Sequence, residues 1–273
     1  MVAHAAARWD DASTAQAYEA FCRRHRRYRR ANAALVAHAA LAPGQRVLDV
    51  AAGTGRTAEA ALPRIGPGGS ILCVEPAGAM RARGAERVRD PRVRWTSRLP
   101  DAARRYDRVL CGAAIWQLAP LDASFARLAA LLAPRGALVF NIPAHYLLEP
   151  DAPGGGRDPW LVELPALVER HRAAAEEVPG AGAGAVPARP PSADDVARLL
   201  ADAGLRAERW SFEVRISQAA YRDWLKIPPV SEGLFPGLPP SERARRLDDA
   251  YHHADHASWR RERWLGWTSW RDA

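Results

Sequence analysis

Two carboxylates stand where predicted strands end. Asp49 lies near the end of the apolar run 46–50, and Glu75 closes the run 70–75, 26 positions later. Between them, Ala51-Ala52-Gly53-Thr54-Gly55 leads into a helix predicted over 56–62. Gly53 and Gly55 permit a tight turn and let a ligand approach the backbone where a Cβ would clash. The first N–H groups of the helix are free to meet a polar ligand. A carboxylate such as Glu75 suits a pair of neighbouring hydroxyls, because it accepts a hydrogen bond from each. His145 follows another predicted strand, in Pro143-Ala144-His145-Tyr146. Its ordinary pKa of about 6.5 fits a general base, so His145 is the catalytic candidate. The run His252-His253-Ala254-Asp255-His256 repeats histidine at helical spacing, as metal pairs do. No cysteine cluster or acid-rich partner accompanies it, and no metal site is assigned.

Strands must position these groups. Continuous apolar runs suit parallel strands covered on both faces. They occur at 46–50, 70–75, 93–96, 106–112 and 137–142, with helices predicted over 76–89 and 121–133 between them. In an open α/β sheet ligands bind beyond the carboxyl ends of the strands. Asp49, Glu75, the turn 112–117 and the turn 141–146 all fall there, which predicts one crevice. Before the first strand, 12–30 reads as one helix with Tyr18, Phe21, Cys22 and His25 on an apolar stripe, and 31–41 as a second. Ser192 is expected to cap a helix stopped by Gly204, and 206–216 to form a sixth strand. Helices over 218–262 surround a Pro/Gly loop, and 263–270 reads as the last strand.

Composition bounds the rest. The chain of 273 residues is 48% hydrophobic, that of a globular protein, with no apolar run of the roughly 20 residues a membrane span needs. No signal peptide is evident at 1–11, and a cytoplasmic protein is expected. Cys22, Cys73 and Cys111 are far apart and read as reduced, buried thiols. The net charge of +8 comes almost wholly from arginine, Lys226 being the only lysine. Such a bias is more readily codon usage than partner selection. The cluster Arg23, Arg24, Arg26, Arg27, Arg29 and Arg30 reads as the solvated face of a helix, with phosphate binding as the alternative.

The string Val47-Leu48-Asp49-Val50-Ala51-Ala52-Gly53-Thr54-Gly55 resembles the first motif of class I S-adenosylmethionine-dependent methyltransferases. The resemblance is specific over about residues 40–145 and elsewhere rests on the order of elements. It implies an α/β fold with a Rossmann-like seven-stranded mostly parallel sheet, an antiparallel last strand, helices on both faces and a helical lid. The implied division is a helical cover at 1–42, a core at 43–217 with a flexible insertion at 150–191, the lid at 218–262 and the last strand at 263–273.

The implied cofactor is S-adenosyl-L-methionine, with S-adenosyl-L-homocysteine as product. By the resemblance, Asp49 holds its ammonium directly or through water, Gly53 and Gly55 face its amino acid part, and Tyr18 reaches its carboxylate. Glu75 grips the ribose, Met80 packs on the adenine, and Ala51, Pro76 and Gly112 complete the cofactor site. The acid that often follows the third strand is replaced by Thr96-Ser97-Arg98-Leu99-Pro100, leaving adenine to backbone groups or Asp101. Trp116, Gln117, Tyr146, Tyr221 and Trp224 are the expected substrate-binding residues. Gly112-Ala113-Ala114-Ile115 replaces the Asn/Asp-Pro-Pro-Tyr/Phe stretch common in relatives that methylate nucleic-acid amines. A small organic acceptor is therefore favoured, as in secondary-metabolite biosynthesis. The same motifs would serve an enzyme that uses the cofactor without methyl transfer, by intramolecular cyclisation or a pericyclic reaction, and less readily an RNA methyltransferase. The expected partner is a small molecule rather than a membrane or nucleic acid, and a homodimer stays open.

Overall fold

The computed structural model describes residues 7–147, apart from 102, 104 and 119, and residues 191–271. The helix expected near 160–177, the Gly/Ala/Pro run 179–191 up to residue 190, and the insertion 150–191 as a whole up to that residue lie outside the described residues.

Seven strands form one sheet: β1 (Arg46–Val50), β2 (Ser70–Val74), β3 (Val93–Thr96), β4 (Tyr106–Gly112), β5 (Leu132–Pro143), β6 (Arg206–Ser217) and β7 (Trp259–Trp270). Their order is β3-β2-β1-β4-β5-β7-β6. β1 pairs in parallel with β2 and β4, with Leu48 opposite Leu72 and Val109. β7 runs antiparallel between β5 and β6. Val47, Leu48 and Val50 are all buried although they alternate in direction, because helices cover both faces. The mostly parallel, Rossmann-like sheet with one antiparallel strand matches the expectation.

The helices preceding β1 are α1 (Ala12–Arg24) and α2 (Arg27–His38). One helix over 12–30 was expected, but His25 is extended, at φ −119° and ψ 146°. The break lets His25 and Arg24 reach Asp223, at 2.9 and 3.2 Å, and turns Arg27 inward. Arg27 is therefore buried, not part of a solvated face. The helices α3 (Arg56–Ile65), α4 (Gly78–Arg87) and α5 (Leu121–Ala130) connect the parallel strands. In α3 the buried residues Thr57, Ala58, Ala61 and Ile65 recur at helical spacing. The helix expected to reach 133 ends at Ala130, because Leu132 already pairs with Tyr106 as part of β5.

α6 (Ala193–Asp202) starts at Ser192, whose side chain accepts from the Asp195 N–H while the Asp195 carboxylate accepts from the Ser192 N–H. Gly204 follows it in the left-handed region, at φ 74°. Between β6 and β7 stand α7 (Gln218–Leu225), α8 (Pro228–Leu234) and α9 (Pro240–His252). β7 begins at Trp259, four residues before the expected start, because its pairing with β6 runs back to Ser217 opposite Trp259. Among the described residues no helix is long and apolar enough to cross a membrane.

Ala51 sits in the left-handed region at φ 53°, where an L side chain costs energy and glycine does not. Ala51→Gly is expected to raise the unfolding free energy by about 0.5–1 kcal/mol, read from the midpoint of a urea transition.

Candidate active site

One cavity of about 950 Å³ opens at the carboxyl edge of the parallel strands. Each strand end supplies part of its wall. Ala51 and Gly53 come from the turn after β1, Glu75, Pro76 and Met80 from β2 and α4, and Ser97, Arg98 and Leu99 from the segment after β3. Gly112, Trp116 and Gln117 follow β4, and His145 and Tyr146 follow β5. The N-terminal segment adds Trp9, Tyr18 and Tyr28, and α7 adds Tyr221 and Trp224. Because β7 runs backwards, its start rather than its end reaches this edge, carrying Glu262.

Glu75 is held by two backbone N–H groups. Its Oε2 accepts the Gly53 N–H at 2.8 Å and its Oε1 the Ala77 N–H at 2.9 Å. Burial raises its pKa, opposed by these two bonds and by Arg81. Each oxygen keeps a lone pair for a further donor. Gly53 is left-handed, φ 55°, and an added Cβ would touch Met80 Cε at 3.5 Å.

Asp49 and Gly55 do not line the cavity. Asp49 is buried beneath the glycine turn, and neither carboxylate oxygen has a hydrogen-bond partner. The Ala58 N–H near the start of α3 favours its charged form without meeting hydrogen-bond geometry. Burial, with a smaller contribution from Glu75, pushes its pKa from 3.8 to about 8. The folded chain then binds a proton the unfolded chain has lost, so stability falls as pH rises from about 4 to about 8. Asp49→Asn is expected to flatten that slope in thermal melts of the ligand-free protein between pH 5 and pH 8. At Gly55 glycine answers both to a left-handed backbone, φ 76°, and to packing: a Cβ would lie 2.9 Å from the Trp95 ring and 3.2 Å from Val88. Gly112 lines the cavity, but its missing Cβ leaves room for Thr57 and Asn32 behind it, at 2.7 and 3.0 Å. Asp101 is exposed and is not part of the wall, whereas Leu99 is.

The turn after β4 is held by Asn141, whose Oδ1 accepts the Ala113 N–H at 3.0 Å and whose Nδ2 donates to the Ala31 carbonyl at 2.9 Å. Trp116 then stacks on Tyr146 at 4.6 Å and 10°. His145 lies 4.4 Å from the Tyr146 ring and meets the Trp224 ring edge-on at 5.8 Å. Trp224 stacks with Tyr221 at 5.9 Å. Tyr18 packs on Trp9 and Tyr28, and burial raises its pKa well above 10.0. Four of the five expected substrate residues, Trp116, Tyr146, Tyr221 and Trp224, thus form an aromatic wall with His145, Gln117 lines the same cavity, and Tyr18 reaches it from α1.

The pair Arg27–Glu262 escaped sequence reading. Arg27 Nε and Nη2 each reach a Glu262 oxygen at 2.7 Å, and Trp264 Nε1 donates to Glu262 Oε2 at 2.8 Å. Burial would raise the pKa of Glu262, but Arg27 outweighs it and holds the acid below its usual range, with help from His145. The sequence carried no signal for it: Glu262 stands among Arg260, Arg261 and Arg263, just before the last strand expected at 263–270. Glu19 was missed as well: from α1 it accepts from Thr54 Oγ1 and pairs with Arg56 at 2.6 Å, fastening α1 to the glycine turn.

Residues 48–138 match the family model described as a methyltransferase domain. The ubiquinone/menaquinone biosynthesis C-methyltransferases UbiE of Bordetella parapertussis and Bordetella bronchiseptica are each 31% identical over 110 residues, covering 38% of this chain. The match spans 43% of those relatives' length, less than half. The YcgJ protein of Bacillus subtilis shares the fold with a TM-score of 0.55 at 18% identity, covering 90% of this chain and all of that one. The (4+2)-cyclase SpnF shares it at 0.52 and 16% identity, covering 88% and 80%. Sheet order, the turn after β1 and the matched stretch 48–138 agree: the chain has the fold of these proteins, and its residues 48–138 are similar to a methyltransferase domain.

Proposed function

We propose that the chain is an S-adenosylmethionine-dependent methyltransferase acting on a small organic acceptor, in a biosynthetic tailoring role. The observation that carries this reading is the single cavity with two unlike halves: Glu75 and Gly53 at one side, and the aromatic wall at the other. Its volume stands at the top of the range for ligand pockets, about 300–1,000 Å³, which gives room for a cofactor and an acceptor together.

The residues present fit the cofactor. Each Glu75 oxygen, already accepting one backbone N–H, keeps a lone pair for a neighbouring ribose hydroxyl, Pro76 and Met80 line the same side, and Leu99 offers an apolar surface for a base. The orphaned carboxylate of Asp49 beneath the turn suits a nearby positive charge. When bound, S-adenosylmethionine supplies a methyl already activated by its sulfonium. The chain's own residues have the remaining tasks. Trp116, Tyr146, Tyr221 and Trp224 hold a planar acceptor and exclude water. His145 takes a proton where the acceptor must lose one. The helices α7 and α8 close the cavity from above as a lid. Held in line, the reactants need little further help, since proximity alone supplies several kcal/mol.

Calorimetric titration with S-adenosylhomocysteine tests the reading, which predicts one site per chain. No binding would remove it. Incubation with S-adenosylmethionine alone separates the non-methylating alternative, which predicts accumulation of methylthioadenosine.

A further inference from the structure

The acceptor half of the cavity holds an acid whose charge is already spent. Glu262 lines the cavity with 8% of its side chain exposed. Its Oε2 takes two donors, Arg27 Nε and Trp264 Nε1, while Oε1 takes only Arg27 Nη2. Oε1 therefore keeps one acceptor position unused, on a residue that lines the cavity. The bidentate pair with Arg27 and the tryptophan bond fix the carboxylate in place. Arg27 in turn is locked: its guanidinium lies over the Trp224 ring at 4.3 Å and the Tyr28 ring at 5.1 Å, and it donates to Tyr28 Oη at 3.0 Å.

Resting on the methyltransferase reading above, we propose that Glu262 is the specificity-determining residue of this site and selects an uncharged aromatic acceptor that bears a phenolic or enolic hydroxyl, which donates to Oε1. Three features separate this from a cationic acceptor. First, Arg27 neutralises Glu262, so an incoming ammonium would find no net charge to pair with. Second, the rings nearest Glu262 already carry cations, Arg27 over Trp224 and Tyr28 and Arg260 over Tyr221. Third, the charged residues of the wall are the arginines Arg8, Arg98, Arg127, Arg260 and Arg261 against only Glu75 and Glu262. The stacked Trp116 and Tyr146 rings favour a flat molecule beside them. Because Arg27 holds Glu262 ionised, the acid accepts the hydroxyl's hydrogen bond without taking its proton. The bonded hydroxyl is an anchor, and the proton lost at the methylated atom is left to His145.

The test compares 2-naphthol, 2-methoxynaphthalene and 2-naphthylmethylamine, by calorimetry with S-adenosylhomocysteine present. Wild type should bind 2-naphthol about tenfold or more tighter than either of the others, the effect of one hydrogen bond to a charged group. Arg27→Met/Glu262→Met, which removes both charges together, should bind the naphthol and its methyl ether alike. It should still bind S-adenosylhomocysteine and melt near wild type. The single variant Arg27→Met, which leaves the acid uncompensated, should shift the preference towards the amine. Equal binding of the three by wild type, no binding of the naphthol, a preference for the amine, or a naphthol preference that survives in the double variant would each overturn the assignment. Should the double variant fail to fold, the wild-type comparison alone decides. Loss of S-adenosylhomocysteine binding by wild type would instead remove the methyltransferase reading, and the probe comparison can then be run without it.

Discussion

Glu75→Ala is expected to weaken S-adenosylhomocysteine binding by about 100-fold or more, with little change in fold. Two charge-assisted hydrogen bonds to ribose, each contributing about 1.5–3 kcal/mol, vanish together. A second loss adds to the first. In the free protein Glu75 also fastens the Gly53 and Ala77 N–H groups, so the glycine turn loses its brace. Glu75→Gln separates the two effects: it can still accept one bond from the turn and one from ribose, and should lose about tenfold. Calorimetry gives the affinity, and a thermal melt without ligand shows whether the turn or the contact matters more. Unchanged affinity in Glu75→Ala would place the cofactor elsewhere in the cavity.

Arg27→Met is expected to destabilise the chain by about 3–5 kcal/mol, the cost of leaving one member of a buried ion pair without its partner. Arg27 is 1% exposed and Glu262 is 7% exposed, so water cannot replace what is removed. The cost is expected to fall as pH is lowered, because protonation of Glu262 then relieves the unpaired charge. Combining the change with Glu262→Met should recover most of the loss, since paired removal replaces charge by apolar packing of similar volume. Urea denaturation of the two single variants and the double variant yields the coupling directly. An additive double variant would mean that the two side chains stabilise the fold separately.

Much of this molecule is legible in its sequence, for identifiable reasons. β1, β3 and β4 occupy the predicted spans because a strand covered on both faces is written as an unbroken apolar run. Glu75 was found because it follows such a run, and the sheet geometry then brings it to the cavity. Local capping was equally readable, as Ser192 and Asp195 show. What escaped depends on contacts distant along the chain. Arg27 and Glu262 are separated by 235 positions, and each looks like a surface charge in its own neighbourhood. The break at His25 has no glycine or proline to mark it, since the cause is Asp223 on α7. Gly55 illustrates a subtler failure. A glycine in a ligand-binding turn suggests a ligand, but here the space is taken by the indole of Trp95, forty positions on. Asp49 was expected to hold an ammonium directly or through water, and its side chain lies under the turn rather than on the cavity wall.

The threading of β7 between β5 and β6 has a mechanical consequence. In the sheet, β6 is hydrogen-bonded to β7 and to no other strand. The two therefore form a hairpin-like pair whose loop is α7, α8 and α9, and whose rungs to the parallel strands, among the described residues, run from Ala137 to Pro143. Glu262, Tyr221 and Trp224 stand on this pair of strands or its loop, which is tied back to the N-terminal helices by Arg27–Glu262 and by Asp223 with His25, while Glu75 and Gly53 stand on the parallel strands' turns. The wall that would choose the acceptor is thus shared between two parts of the sheet, and the buried Arg27–Glu262 pair is a clamp that keeps them in register.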